Sequence, residues 1–229
     1  MIMTGKIDRV DIMDSNGKKY VKIIDYKSGS KSFDLQNIYY GLELQLMIYL
    51  DAFLQSGGEA CEFLPGGVFY FRIKNPLVSN ASDLSDGEIE SLILKELKMS
   101  GLMLKNKDVI SGLDKGLVDE HGGLSGSSDI VPVEIKKDGE LKSSSSAADY
   151  ESFIGLIDYA KEKARDLGSA IYSGNIDISP YKSGSKSPCI YCPFKSACRF
   201  DPQYGGKYRY LKRLDKTGFL ETLKQRKRK

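Results

Sequence analysis

The sequence predicts an α/β fold, a mixed core followed by a small cysteine-bearing staple. Three observations carry that expectation. Two extended runs meet at an Asn-Gly turn, amphipathic helical stretches alternate with a β-rich run, and three cysteines crowd into ten residues near the end. The 229 residues, 41% apolar and 28% charged, suffice for a hydrophobic core and exclude wholesale disorder.

The elements follow in order. Residues 5–14 and 18–27 are extended runs flanking Ser15-Asn16-Gly17, and Asn-Gly is a strong hairpin signal. Residues 34–55 read as one amphipathic helix: Asp34 is a candidate N-cap, Leu42, Leu46, Tyr49 and Phe53 recur at helical spacing, and Gly57-Gly58 closes it. Residues 67–73 form a rich strand between Pro65 and Asn75-Pro76. Ser85 and Glu88 make a capping box opening a helix to about residue 98. Loops are expected at 119–130 and 143–146, around a short strand near 131–136 and an Asp138-Gly139 turn. A second long helix runs from about 149 to Gly174.

The hairpin register carries the first functional inference. With Asn16-Gly17 as the loop, Ile12 opposes Val21, Val10 opposes Ile23 and Asp8 opposes Asp25. One face is then apolar near the turn and ends in Asp8, Asp25 and Lys27. Directly opposed carboxylates sit about 5 Å apart at Cβ and repel unless something intervenes. A shared proton is one remedy. A divalent cation is the other: Mg²⁺ takes one or two carboxylates and keeps waters that a phosphate oxygen can replace. Lys27 points the same way and could stabilise charge developing on phosphorus.

The cysteines point to a second chemistry. Cys189, Cys192 and Cys198 form C-x2-C-x5-C, whereas Cys61 stands apart and reads as a small semi-buried hydrophobe. A disulfide framework would need an even, dispersed set in a secreted chain. The cluster reads instead as part of a metal or iron–sulfur site lacking one ligand.

Gly5-Lys6-Ile7-Asp8, Asp25-Tyr26-Lys27 and Gln45-Leu46-Met47-Ile48-Tyr49, in that order, resemble the G-x-x-D, D-Y-K and Q-x-x-x-Y motifs of RecB-like PD-(D/E)XK nucleases. The stretches GGVFYFRIKNP, KMSGLML, ISPYK and PCIYCPFKSACRFDP are similar to the C-terminal nuclease domain of the B subunit of AddAB-type helicase–nucleases. The resemblance covers nearly the whole chain and implies a restriction-endonuclease-like mixed sheet flanked by helices. It implies that Asp8 and Asp25, with the main-chain carbonyl of Tyr26, hold a catalytic Mg²⁺. Lys27 becomes the catalytic lysine, and Gln45 and Tyr49 support the site or touch DNA. Cys189, Cys192 and Cys198 match three of the four ligands of a [4Fe-4S] cluster, and Cys61 does not match the fourth.

In the family, a preceding helix supplies a further site residue, and the first cluster cysteine lies upstream. The expectation here is a nuclease domain lacking both. Its divisions are a core over 1–178, a cysteine segment over 179–205 and a basic tail over 206–229. The implied partners are DNA and the A subunit of the helicase–nuclease. The implied action is exonucleolytic, on the 5′-ended strand, during recombinational repair of breaks. Two alternatives are a stand-alone CRISPR-associated RecB-like nuclease and a degenerate fold that only binds DNA or protein.

No run of eighteen apolar residues and no signal peptide occur, so the expected setting is the cytoplasm, away from membranes. The net charge of +3 conceals an asymmetry. Residues 195–229 hold 12 Lys and Arg against 3 Asp and Glu, and the remainder is net acidic at −6. An acidic core and a basic end suit a cation site beside a phosphate backbone.

Overall fold

A computed structural model describes residues 2–29, 31–58, 62–74, 76–77 and 84–226. Strands β1 (Arg9–Ser15) and β2 (Lys18–Lys27) form the hairpin. They are followed by α1 (Leu35–Tyr39), α2 (Gln45–Ser56), β3 (Phe63–Arg72), α3 (Asp86–Glu96), β4 (Ser100–Leu104) and α4 (Lys107–Leu113). Short strands β5 (Gly126–Ser127), β6 (Glu134–Ile135) and β7 (Ala147–Ala148) lead to the long α5 (Tyr150–Tyr172). Beyond it come β8 (Tyr181–Lys182), α6 (Lys195–Cys198), β9 (Arg209–Tyr210) and α7 (Lys216–Arg226).

The central sheet has the order β1-β2-β3-β4-β7. β1–β2 and β3–β4 are antiparallel, whereas β2–β3 and β4–β7 are parallel, so the sheet is mixed as expected. Buried residues gather in two clusters. Val21, Ile23, Met47, Leu50 and Phe153 join β2 to α2 and α5, while Ile24, Phe69, Met103, Ile110 and Val133 form the other. Adjacent Ile23 and Ile24 lie in different clusters, because successive strand residues point to opposite faces. That double burial is why β2 reads as a nearly continuous apolar run.

The hairpin has the expected register, with Val10 opposite Ile23 and Ile12 opposite Val21. Asn16 and Gly17 both have positive φ (53° and 73°), matching a turn whose twist suits the strands it joins. Ile12 departs from expectation: it is 50% exposed, because β1 is the edge strand. β3 starts earlier than its sequence suggested and includes Pro65. The register shifts there, with Val21 beside Pro65 and Lys22 beside Gly67, leaving Gly66 as an extra residue. Proline lacks the ladder donor and is tolerated in sheets at such irregularities.

The helix expected over 34–55 is two helices. Asp34 caps α1 as anticipated, accepting from the Gln36 N–H at 3.1 Å. Gly41 then takes φ +74°, which ends the helical path, and the Leu42 and Glu43 N–H groups donate back to Asn37 O. α2 therefore begins afresh at Gln45. The Ser85–Glu88 capping box is present at α3, and hydrogen bonds from the Ser85 hydroxyl and backbone N–H hold the Glu88 carboxyl below its usual range.

α5 starts on Asp149, whose side chain accepts from Ser152 N–H at 3.0 Å. Burial pushes this carboxyl up, but the Ser152 contacts and Lys224 of α7 outweigh it, and the net direction is down. The basic C-terminal stretch carries α7, with Phe219 and Leu223 buried in the first cluster. Gly155 lets the helices meet closely: a Cβ there would stand 3.0 Å from Leu223 O. Among the described residues, no helix is long and apolar enough to cross a membrane.

Candidate active site

The site begins where the hairpin ladder stops. β1 ends at Arg9, and one residue further out the Asp8 carboxylate replaces a ladder acceptor, taking the Tyr26 N–H at 2.9 Å. Asp25 and Lys27 both project from β2 on the face that carries Ile23. Asp25 is 2% exposed and forms an ion pair with Lys27 through Oδ2. That oxygen has no hydrogen-bond partner. A buried carboxylate held only by a mobile ammonium is an under-satisfied group.

Lys27 is positioned from its other side by α2. Its ammonium donates to Gln45 Oε1 at 3.4 Å, and Gln45 Nε2 donates to the Tyr49 hydroxyl at 3.1 Å. The amide orientation follows from these contacts, with oxygen toward the cation and nitrogen toward the phenol. The i, i+4 spacing of Gln45 and Tyr49 places them on one helix face. The break at Gly41 makes Gln45 the first residue of α2 and so brings it to the end of β2. All five side chains expected at the site thus meet it, with Asp8 joined through the Tyr26 backbone.

Gly5 has a visible reason to be glycine. A Cβ there would lie 2.7 Å from Tyr49 Cε1 and 2.9 Å from its hydroxyl. Gly5→Ala should displace the phenol and loosen Gln45, with Lys27 behind it. We expect roughly a tenfold loss of cleavage rate from this misplacement, with stability changed by less than about 1 kcal/mol. Comparing rates and urea midpoints checks this, and a variant as active as the parent would remove Tyr49 from the supporting role.

Three further residues at the site carry no linear signal in the sequence. Tyr70 lies beside Asp25 in the β2–β3 register and is 3% exposed. Burial pushes its phenol well up, and the negative charges of Glu43 and Asp25 push it further. Lys31 and Glu43 meet over the same ring. No spacing links these residues; the two turns flanking α1 bring them together. Tyr26 turns its own ring to the other face, where it meets Phe71 edge-on at 6.0 Å.

The donor set fits a hard divalent cation. It offers the under-satisfied Asp25 Oδ2 and an Asp8 whose second oxygen remains outside the Tyr26 hydrogen bond. The cysteines do not form a comparable set. Cys189, Cys192 and Cys198 are free and partly exposed, in a segment closed by parallel pairing of β8 with β9. Among the described residues, no three His, Cys, Asp or Glu side chains are grouped to hold a metal ion. Cys61 lies outside the described residues.

Comparison with known proteins agrees with this geometry. The family model of the PD-(D/E)XK nuclease superfamily matches residues 1–199. A protein of a Thermoanaerobacter species, named as the B subunit of an ATP-dependent helicase/deoxyribonuclease, is 41% identical over 212 residues, 92% of this chain and 18% of that protein. Proteins of the same name from Clostridium acetobutylicum (41% identity, 93% of this chain, 18% of theirs) and Alkaliphilus metalliredigens (40%, 99% and 19%) are similar to it as well. The chain spans less than a fifth of the length of these curated relatives. With the match extending from Asp8 through Tyr49 and on to Cys198, the chain belongs to the PD-(D/E)XK nuclease superfamily.

Proposed function

We propose that this chain is the nuclease portion of a helicase–nuclease B subunit and hydrolyses phosphodiester bonds of DNA with a divalent metal, Mg²⁺. The observation that carries the reading is the meeting of Asp8, Asp25, Lys27, Gln45 and Tyr49 at the open end of one hairpin. Asp8 and Asp25, with the Tyr26 carbonyl, would hold the cation. When bound, it supplies a Lewis acid for the phosphate and a water of lowered pKa.

The chain's own residues do the rest. Asp25 is fixed by the packed centre of β2, so its carboxylate is presented without reorganisation. Lys27 balances it and supplies positive charge where the phosphorane-like transition state gains negative charge. Gln45 holds that ammonium at the required edge of the site, and Tyr49 fixes Gln45. The buried Tyr70 ring floors the site.

The names of the relatives support the further reading that the chain works with an A subunit at broken DNA ends in the cytoplasm, as an exonuclease on the 5′-ended strand. In this division, residues 1–178 carry the chemistry, 179–205 the cysteine segment and 206–229 the basic end. The C-x2-C-x5-C spacing supports Cys189, Cys192 and Cys198 as three ligands of a [4Fe-4S] cluster in the longer protein. No step of hydrolysis runs through that cluster.

Linear DNA should be cut by the protein with Mg²⁺, spared with EDTA, and cut again when Mg²⁺ is restored in excess. If neither this chain nor the longer protein cuts under any of these conditions, the nuclease reading fails and a DNA-binding role replaces it.

A further inference from the structure

We propose that Lys31 forms a second phosphate subsite beside the catalytic lysine, and that Glu43 occupies it in the absence of DNA. The ligand is a backbone phosphate of a nucleic-acid strand, next to the one that is cut. The inference rests on the nuclease reading above for the identity of its ligand.

The geometry is built around Tyr70. Lys31 Nζ stands 4.9 Å from the centroid of that ring and Lys27 Nζ stands 5.6 Å from it. Two ammonium groups thus share one buried phenol ring, close enough to take neighbouring phosphates of a single strand. Lys27 is committed to Asp25 and Gln45. Lys31 has a looser partner, Glu43 Oε1 at 3.4 Å, and both side chains of that pair reach solvent (33% and 21% exposed). Arg72 follows Tyr70 on the same face, opposite Lys27, and its Nε is buried with no acceptor among the described residues. The side of the site away from Asp8 is therefore cationic and under-satisfied.

The loop that carries Lys31 is fixed. The Lys31 N–H donates to Gly29 O at 3.0 Å, and two residues on the Phe33 N–H donates to Ser100 Oγ at 2.9 Å. Ser100 pairs with Tyr70 across β3–β4, so the loop crosses the strand end beside the ring. Glu43 comes from the break between α1 and α2. In an unbroken helix, Glu43 and Gln45 would point in different directions; the break lets both serve neighbouring lysines. A carboxylate at 3.4 Å from a part-exposed ammonium is a weak, exchangeable partner that a phosphate can replace.

The test is binding of a fluorescent single-stranded oligonucleotide in EDTA, by anisotropy, over a range of salt. Lys31→Ala should weaken binding several-fold and reduce the slope of log K against log salt by about 0.7, the share of one phosphate contact. Lys31→Arg should restore both. Glu43→Gln should tighten binding several-fold, and that gain should vanish when Lys31→Ala is also present. An unchanged slope in a folded Lys31→Ala variant, or a gain from Glu43→Gln that survives loss of Lys31, overturns the proposal. Failure of the parent chain to bind also overturns it. Cutting by the parent with Lys31-independent binding leaves the nuclease reading standing alone, whereas Lys31-dependent binding without cutting does the reverse.

Discussion

Replacing Asp25 by Asn should lower Mg²⁺-dependent DNA cleavage by roughly 100- to 1,000-fold while the protein remains folded. The amide keeps the side chain's volume but removes the charge that a hard cation requires. Lys27 loses its counter-ion, yet its side chain is 26% exposed and keeps the Gln45 carbonyl, so its charge need not be stranded. Stability should thus change far less than activity. Asp11 supplies the control. It lies on β1 on the opposite face, paired with Arg9 at 2.7 Å and Lys22 at 2.9 Å. Burial pushes the Asp11 carboxyl up, but its hydrogen bonds from Arg9 and Lys22 leave it lower overall. Asp11→Asn should cost about 1 kcal/mol or less and leave cleavage intact. Equal loss of cleavage in both variants, measured on linear DNA with matched folded fractions, would show that acidity of the hairpin matters and the Asp25 position does not.

That contrast is legible in the sequence because strand periodicity is strict. Asn16-Gly17 fixes the turn, the turn fixes the register, and register fixes the face of every carboxylate. Gln45 and Tyr49 are legible for a similar reason, since four residues make about one helical turn. Sequence and structure part where a local break leaves no trace in periodicity. Leu42 and Leu46 keep helical spacing across Gly41, so the pattern continues although the helix does not. β4 carries no strand signature, since Gly101 to Leu104 are all buried and show no alternation. In α7, Phe219 and Leu223 are few among charges, and charge dominates the pattern. Lys31, Glu43 and Tyr70 come from three segments joined by irregular backbone. Their meeting depends on the Phe33–Ser100 contact and the Gly41 turn, neither of which has a sequence signature.

Replacing Gly101 by Ala should destabilise the protein by more than about 4 kcal/mol, beyond the usual range for a single methyl group. Gly101 faces Phe69 across the antiparallel β3–β4 pair. A Cβ at this position would lie 2.0 Å from Val68 O, 2.4 Å from Phe69 Cδ1 and 2.8 Å from Phe69 Cα. Two of these three atoms belong to the backbone, so no rotamer change relieves the contact. The strands must separate, and Phe69, fully buried in the second cluster, must move with them. Gly87 gives the comparison. It lies in the first turn of α3 with open space around its Cα, so Gly87→Ala should be neutral or stabilising by about 0.5–1 kcal/mol. Urea denaturation of the two variants tests the difference, and a Gly101→Ala midpoint near that of the parent would mean the strand approach is not needed. The next pair along the same strands is Tyr70 with Ser100, which floors the site and anchors the Lys31 loop. A spread of β3 from β4 therefore acts on the catalytic floor as well as on the core. Under conditions where Gly101→Ala remains folded, its oligonucleotide binding should resemble that of Lys31→Ala, because both changes remove the ammonium from Tyr70 by different routes.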